Sequence, residues 1–418
     1  MKNIGLNGYL LFIISWFLHL PARIPLLGVL RADLVLVAVL SVIAFAKKPN
    51  GGIPSTKTDR LIKILILYSI LTVPFVEWPG SVFRNGIPEL VKAIVFYYFT
   101  IAFVQNERDL KKMVYVFLAC QLFRILEPLF LHITEGYWGS VTSMANWEYL
   151  DRLSGAPNDV VNPNGLAFVV CTVLPFLYFM SGLSWINWLL FASLVPACLY
   201  VLVLTGSRSG ILGLVVIYLG ILVKSKRRLL WGLSGVLVVI IGFPLLSPDM
   251  QDRYLSIIGK GAKNEGSVEY RTEGMIESFD VAIRRPIFGY GLGTSREANA
   301  NFAGHDQPAH NLYLEVAEEL GFVGLVIFLF FMRSIFASFA HLKRAYEHQD
   351  SGTFLSRIVD AMQVWLWMDF VFSFASYGLS SYEWYLLCGF SVLLQRLTGG
   401  EIAKKDINVH RWLRKPIF

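Results

Sequence analysis

Apolar residues in this chain gather into runs close to the length, about 20 residues, that an α-helix needs to cross a bilayer. Twelve such segments are read from the 418 residues: 4–20, 26–46, 61–75, 88–104, 113–133 and 165–180, then 185–204, 210–223, 229–246, 321–339, 359–377 and 384–397. Lys2 precedes the first run as a basic residue precedes a secretory leader. Leu20-Pro21-Ala22-Arg23 offers no small-x-small cleavage site, however, so the run reads as a retained helix. Two intervening stretches are long, 134–164 and 247–320, and only the second is polar enough for a small subdomain outside the bilayer. There is no internal repeat. The pattern predicts an all-α polytopic membrane protein, a single membrane domain over 1–418 with about twelve transmembrane helices. A mostly helical loop, 247–320, is inserted between the ninth and tenth of them.

The charged positions orient that arrangement, because cytoplasmic loops carry the excess of Lys and Arg. Lys47, Lys48, Lys57, Arg60 and Lys63 follow the second segment, and Arg108, Lys111 and Lys112 follow the fourth. Lys224, Lys226, Arg227 and Arg228 follow the eighth, and Lys343, Arg344 and Arg357 the tenth. The tail adds Arg396, Lys404, Lys405, Arg411, Arg414 and Lys415, while the intervening short loops hold one or two cations each. Both termini are therefore expected in the cytoplasm and the 247–320 loop on the opposite face. That loop carries Arg253, Lys260, Lys263, Arg271, Arg284, Arg285 and Arg296. Long loops translocate largely regardless of charge, so these cations do not oppose the topology.

Composition removes the competing classes. The chain is 55% hydrophobic and 16% charged, where soluble domains carry about 25% charged residues, so there are too few charges to coat two or three soluble domains. Its four cysteines, Cys120, Cys171, Cys198 and Cys388, lie inside apolar runs and read as free buried thiols rather than bridges or metal ligands. Most of the 37 Lys and Arg set orientation, so the net charge of +7 is no argument for nucleic acid.

Candidate chemistry sits on the outer face. Thr205-Gly206-Ser207-Arg208-Ser209-Gly210 is a short turn whose small residues let backbone and guanidinium approach a ligand, and Arg offers a planar fork matched to phosphate oxygens. In Gln307-Pro308-Ala309-His310-Asn311, proline favours a helix start near Pro308. His310 would then lie in a first turn, where the positive end of the helix dipole disfavours imidazolium and leaves the neutral ring a general base needs. His305 is its one near partner and no zinc spacing accompanies the pair, so no metal is expected. Within 267–293, Val268, Met275, Phe279 and Ile283 repeat at helical spacing, which predicts an amphipathic helix ended by Pro286 and Gly289. Gly289-Tyr290-Gly291-Leu292-Gly293 has neither a preceding strand nor a following Lys, so it reads as a flexible turn rather than a nucleotide loop. Arg124 and Glu127, three apart inside a segment, are placed to face each other.

His310-Asn311, nine residues, then Gly321-Phe322-Val323-Gly324 resembles the His-Asn/Ser/Gln-x9-Gly-x-x-Gly signature of bacterial O-antigen ligases and related polymerases. Arg208 to Leu212 resembles the family's Arg-x3-Leu element. Arg152 through Asn162-Pro163-Asn164-Gly165, and Arg271 through Gly289-Tyr290-Gly291, resemble family segments in the expected order. The resemblance covers about 152–324. It implies a glycosyltransferase of the bacterial inner membrane that moves a glycan from undecaprenyl diphosphate to an acceptor sugar at a periplasmic site, without nucleotide sugar, metal or other cofactor. His310 would be the base and Arg208 and Arg271 would hold the diphosphate, with Arg152, Arg284 and Arg285 as further candidates. Asn311, Gly321 and Gly324 would support the motif.

The acceptor implied for a ligase is lipid A–core, and for an O-antigen or exopolysaccharide polymerase another lipid-linked glycan. A protein-glycosylating ligase would share the donor. A polysaccharide flippase or transporter would instead predict paired halves with broken helices and midplane charges.

Overall fold

The computed structural model describes residues 2–46, 56–139, 151–159, 161–225, 228–256, 265–347, 352–376 and 378–412. Lys47, Lys48, Lys226, Arg227, Lys260, Lys263, Arg414 and Lys415 lie outside them, as does the side chain of Arg271. Described residues form helices and no strand. The longer helices are α1 (Lys2–Phe17), α2 (Ala32–Ala46), α3 (Lys57–Leu71), α4 (Ile87–Phe103), α5 (Glu107–Glu135), α6 (Pro163–Ser181), α7 (Trp185–Leu204) and α8 (Arg208–Lys224). There follow α9 (Arg228–Gly242), α10 (Pro248–Leu255), α11 (Glu265–Arg284), α12 (Ser295–Phe302), α13 (Leu312–Glu347), α14 (Phe354–Phe372) and α15 (Glu383–Trp412).

Each apolar run of the sequence coincides with a helix, and α10, α11 and α12 occupy the polar stretch between α9 and α13. Among the described residues, five helical stretches, Pro79–Phe103, Glu107–Glu135, Pro163–Ser181, Trp185–Leu204 and Leu312–Tyr346, are long and apolar enough to cross a membrane. The chain is a polytopic all-α membrane protein. One run is broken: a short helix, Pro25–Val29, precedes α2, and Arg31 takes a left-handed conformation between them (φ 46°).

Ends are fixed by local chemistry. Asn106 caps α5, its side chain accepting from the Asp109 amide at 3.0 Å, and Gly136 closes that helix at φ 68°, where a side chain would be strained. Packing then gathers the helices into one core. α15 lies on α4, α6 on both α7 and α14, α8 on α14, and α13 on α3. Aromatic rings fill the middle, with Phe17 edge-on to Tyr382 at 4.9 Å and Trp365 beside Phe117 at 5.9 Å. The outward face is as apolar as the interior: Trp185, Trp188, Leu229, Leu230 and Leu237 are all exposed, as a lipid-facing surface requires and a soluble monomer avoids. The four cysteines are buried and free.

Arg124 and Glu127 do not pair with each other. Arg124 donates to both oxygens of Asp159, at 2.6 and 3.1 Å, while Glu127 takes both ends of Arg23, one at 2.6 Å. Partners from other segments, brought close by packing, satisfy each ion better than an i,i+3 neighbour with one shared geometry. The Arg124–Asp159 pair ties the segment before α6, which carries Arg152, to α5.

On α11 the stripe residues Phe279 and Ile283 are exposed and Met275 is half-buried, whereas Ser278, Val281 and Ala282 are buried; the side chain of Val268 lies outside the described residues. Small residues let the helix lie close against α13, and Phe279 keeps one edge contact, with Phe322 at 6.4 Å.

Candidate functional site

Three arginines converge on the turn between α7 and α8. The α7 chain ends at Leu204; Gly206 reverses direction at φ 55°; Ser207 caps α8, accepting from the Gly210 amide at 3.1 Å. Arg208 is thus the first residue of α8 rather than part of a loop, and it is 9% exposed. Arg152 Nε donates to the Thr205 carbonyl at 2.7 Å, and Arg253 Nε, from α10, donates to the Gly206 carbonyl at 2.6 Å. Arg208 donates to Ser256 Oγ at 3.0 Å, and that hydroxyl donates to the Arg253 carbonyl at 2.7 Å. Asn164 Oδ1 accepts from both Arg152 and Ser207, at 2.8 and 2.9 Å.

Carbonyls and a hydroxyl accept from these guanidiniums at the start of a helix, whose positive end itself favours an anion. The phenol of Tyr254 feels the grouping: burial pushes it up to about 12, while Arg253 and Arg152 both pull it down. Arg253 appeared in the sequence only as one cation of a long loop, and nothing in its neighbours marked it out. A cleft of about 600 Å³ adjoins the turn, walled by Trp138, Tyr200, Val203, Leu245 and Met250.

The second half of the site is built on a break in α13. At Gly321 the backbone turns to φ 69° and ψ 178°, so the helical bonds across it are lost. Several of the freed groups find a donor or acceptor in the turn 286–291. Tyr290 N donates to the Glu318 carbonyl at 2.7 Å, Gly291 N to the Glu319 carbonyl at 2.9 Å, and Phe322 N to the Pro286 carbonyl at 2.7 Å. Tyr68 of α3 divides its hydroxyl between the carbonyls of Leu320 and Ile287, at 3.0 and 2.7 Å. The Glu319 carboxylate accepts from Gly293 N at 2.7 Å. The segment 289–293 is therefore a clamped, mostly buried element and not the flexible turn expected.

The motif glycines serve that clamp. A Cβ on Gly321 would come within 2.3 Å of the Ile287 carbonyl oxygen, and one on Gly289, also at φ 69°, within 2.5 Å of the Glu318 carbonyl oxygen. At Gly324 it would meet Leu320 Cβ at 2.2 Å and the Tyr68 ring at 3.2 Å.

His310 is exposed and stands just before α13, which begins at Leu312. The helix does not start near Pro308. Asn311 caps it instead, its Oδ1 accepting from the amides of Tyr313 and Leu314 at 3.0 and 3.2 Å, a role that asparagine fills better than proline's neighbours. His310 opens on a cavity of about 220 Å³ between α11 and the turn before α13, lined also by Glu273, Glu277, Ser278, His305 and Gln307. His305 faces Glu277 at 3.2 Å. Arg271 lies on α11 three and four residues before Gly274 and Met275, which line this cavity. Arg285 stands apart from the cluster at α8, paired with Glu77 and lying over the Tyr290 ring. Arg284 lies over Phe302 at 5.5 Å.

A many-helix membrane protein thus carries a buried arginine cluster at one helix start and a histidine with its own cavity at another. The O-antigen ligase family matches residues 191–329, a span that holds Arg208, Arg271, Arg285, His310, Asn311, Gly321 and Gly324 and leaves out Arg152. An O-antigen polymerase of Salmonella muenchen is 25% identical over 221 residues, which are 51% of this chain and 53% of that protein. The chain matches about half the length of this curated relative. Both matches support the O-antigen ligase and polymerase superfamily, to which the His310 and Arg208 patterns had pointed.

Proposed function

We propose that this protein is a glycosyltransferase that moves a glycan from undecaprenyl diphosphate to an acceptor sugar, as an O-antigen ligase acting on lipid A–core. The observation that carries the reading is the convergence of Arg152, Arg208 and Arg253 on the start of α8. A diphosphate leaving group accumulates negative charge as the glycosidic bond breaks, and fixed cations there stabilise the transition state more than the ground state. His310 takes the proton of the acceptor hydroxyl. The hydroxyl oxygen forms the new bond to the anomeric carbon, and the bond from that carbon to the diphosphate oxygen breaks, its electron pair leaving with undecaprenyl diphosphate. Arg271 joins the charge clamp from α11, and Arg285, held by Glu77, is the weaker candidate. The step uses no nucleotide sugar, because the donor already carries its leaving group, and in this reading the arginines offset the diphosphate charge in place of a metal.

A polymerase is the second reading, favoured by the name of the Salmonella relative; its acceptor is another lipid-linked glycan. In either case the chain is read as an inner-membrane protein of about twelve spans with cytoplasmic termini and a periplasmic site, consistent with the loop charges. Purified protein in detergent, given an undecaprenyl-diphosphate-linked glycan and either lipid A–core or a second lipid-linked glycan, tests both. Transfer to core without chain growth marks the ligase, and a ladder on undecaprenyl diphosphate marks the polymerase. Donor that stays intact with both acceptors would sink the enzymatic reading.

A further inference from the structure

Beside His310 lies a residue outside the family signature. His310 Nε2 and Gln307 Oε1 face each other at 3.2 Å. Gln307 is itself anchored, its carbonyl accepting from Asn299 Nδ2 at 3.1 Å, and Asn299 is buried on α12. Ala309, adjacent to His310, donates its amide to Ser295 Oγ at 3.0 Å, and that hydroxyl donates to the Glu318 carboxylate of α13. The 307–310 turn is therefore pinned at both ends to α12, and α12 is pinned to α13. An amide oxygen only accepts, so the ring nitrogen facing it carries the proton. A neutral imidazole has one N–H, and with that proton on Nε2 the lone pair resides on Nδ1.

We propose that Gln307 is a positioning residue that holds the His310 ring with its proton on Nε2, so that Nδ1 is the nitrogen receiving the acceptor's proton. The role of Nδ1 rests on the reading of His310 as the base. The acceptor O–H proton passes to Nδ1, the Nε2–H stays on Gln307, and the imidazolium returns to neutral by releasing the Nδ1 proton to water. A neutral amide orients the ring without making it more basic, whereas a carboxylate in the same place would favour the imidazolium and remove the base near neutral pH. Among the described residues the other ionisable groups that line the cavity are Glu273, Glu277 and His305; Asp306, next to His305 in the chain, is paired with Arg296 at 2.6 Å, and Arg271 belongs to the same helix as the two glutamates.

Full-length protein labelled with ¹⁵N-histidine, in detergent, separates the two tautomers by nitrogen shift; the His310 signal is the one lost in His310→Gln. The wild type is expected to show the Nε2–H form. Gln307→Glu should keep that form and raise the ring's titration by about one pH unit or more, and Gln307→Leu should lose the single tautomer. In the transfer assay, Gln307→Glu should move the rising limb of kcat/KM to higher pH by the same amount, about tenfold less activity per unit below it. Gln307→Leu should lower kcat at every pH with little change in KM. Wild-type tautomer and titration in both variants would overturn the proposal. Turnover by His310→Ala would overturn the base assignment and the role of Nδ1 with it, even if the nitrogen signals of the Gln307 variants behave as expected.

Discussion

At the scale of single residues, Arg208 was legible in the sequence because it stands in a short polar interruption of an apolar chain, where an unexplained charge is conspicuous, and His310 because it opens the His-Asn, nine residues, Gly-x-x-Gly pattern. Arg253 was not, since a cation in a long polar loop has no periodicity to betray it. Only the fold brings its Nε to the Gly206 carbonyl. Each residue carries an expectation. His310→Ala should lower transfer about 10²–10⁴-fold with unchanged folding, the usual cost of a lost general base. Arg208→Lys keeps the charge and loses the fork; one charge-assisted hydrogen bond contributes about 1.5–3 kcal/mol, so kcat/KM for the lipid-linked donor should drop roughly ten- to a hundredfold. Arg253→Ala removes a guanidinium and its hold on the turn, and a similar drop in kcat/KM is expected. Near-normal turnover in both arginine variants would reduce the cluster to a structural brace.

At the scale of elements, hydrophobic runs located the helices well because a bilayer leaves the backbone few alternatives to helix. They could not locate the break in α13. Its glycine reads as an ordinary small residue, and its cause lies elsewhere in the chain, in the turn 286–293 and in Tyr68. The stripe on α11 was seen but the side it faces was not, since apolar spacing cannot tell a protein neighbour from lipid or solvent. Gly321→Ala should be destabilising on two counts. The positive φ with ψ at 178° is a region essentially reserved for glycine and costs a side chain about 1–3 kcal/mol, and the new methyl would push the Ile287 carbonyl away from its site 2.3 Å off. Tyr68→Phe removes one hydroxyl shared by two carbonyls and should cost about 1 kcal/mol. Thermal unfolding in detergent measures both, and the two changes should not add, because they loosen the same clamp. Fully additive losses would show that the turn and Tyr68 act separately.

At the scale of the whole molecule, the few charges matter more than the many apolar residues, because they decide which face meets which compartment. The predicted orientation places α12 outside and the start of α5 inside. Asn301 on α12 and Lys112 on α5 are both exposed, while the native cysteines are almost wholly covered, Cys120 at 4% and the other three at 0%. Burial of those thiols keeps the background of a labelling experiment low without removing them. In spheroplasts, a membrane-impermeant maleimide should therefore label Asn301→Cys at once and Lys112→Cys only after lysis. The opposite order would invert the protein, and His310 and the arginine cluster would then face the cytoplasm. Labelling of both before lysis would mean an even number of crossings between the two positions, where the loop charges predict an odd one. The inverted order would separate the site from a periplasmic acceptor whatever its residues can do chemically, so orientation is the condition on which the proposed reaction stands.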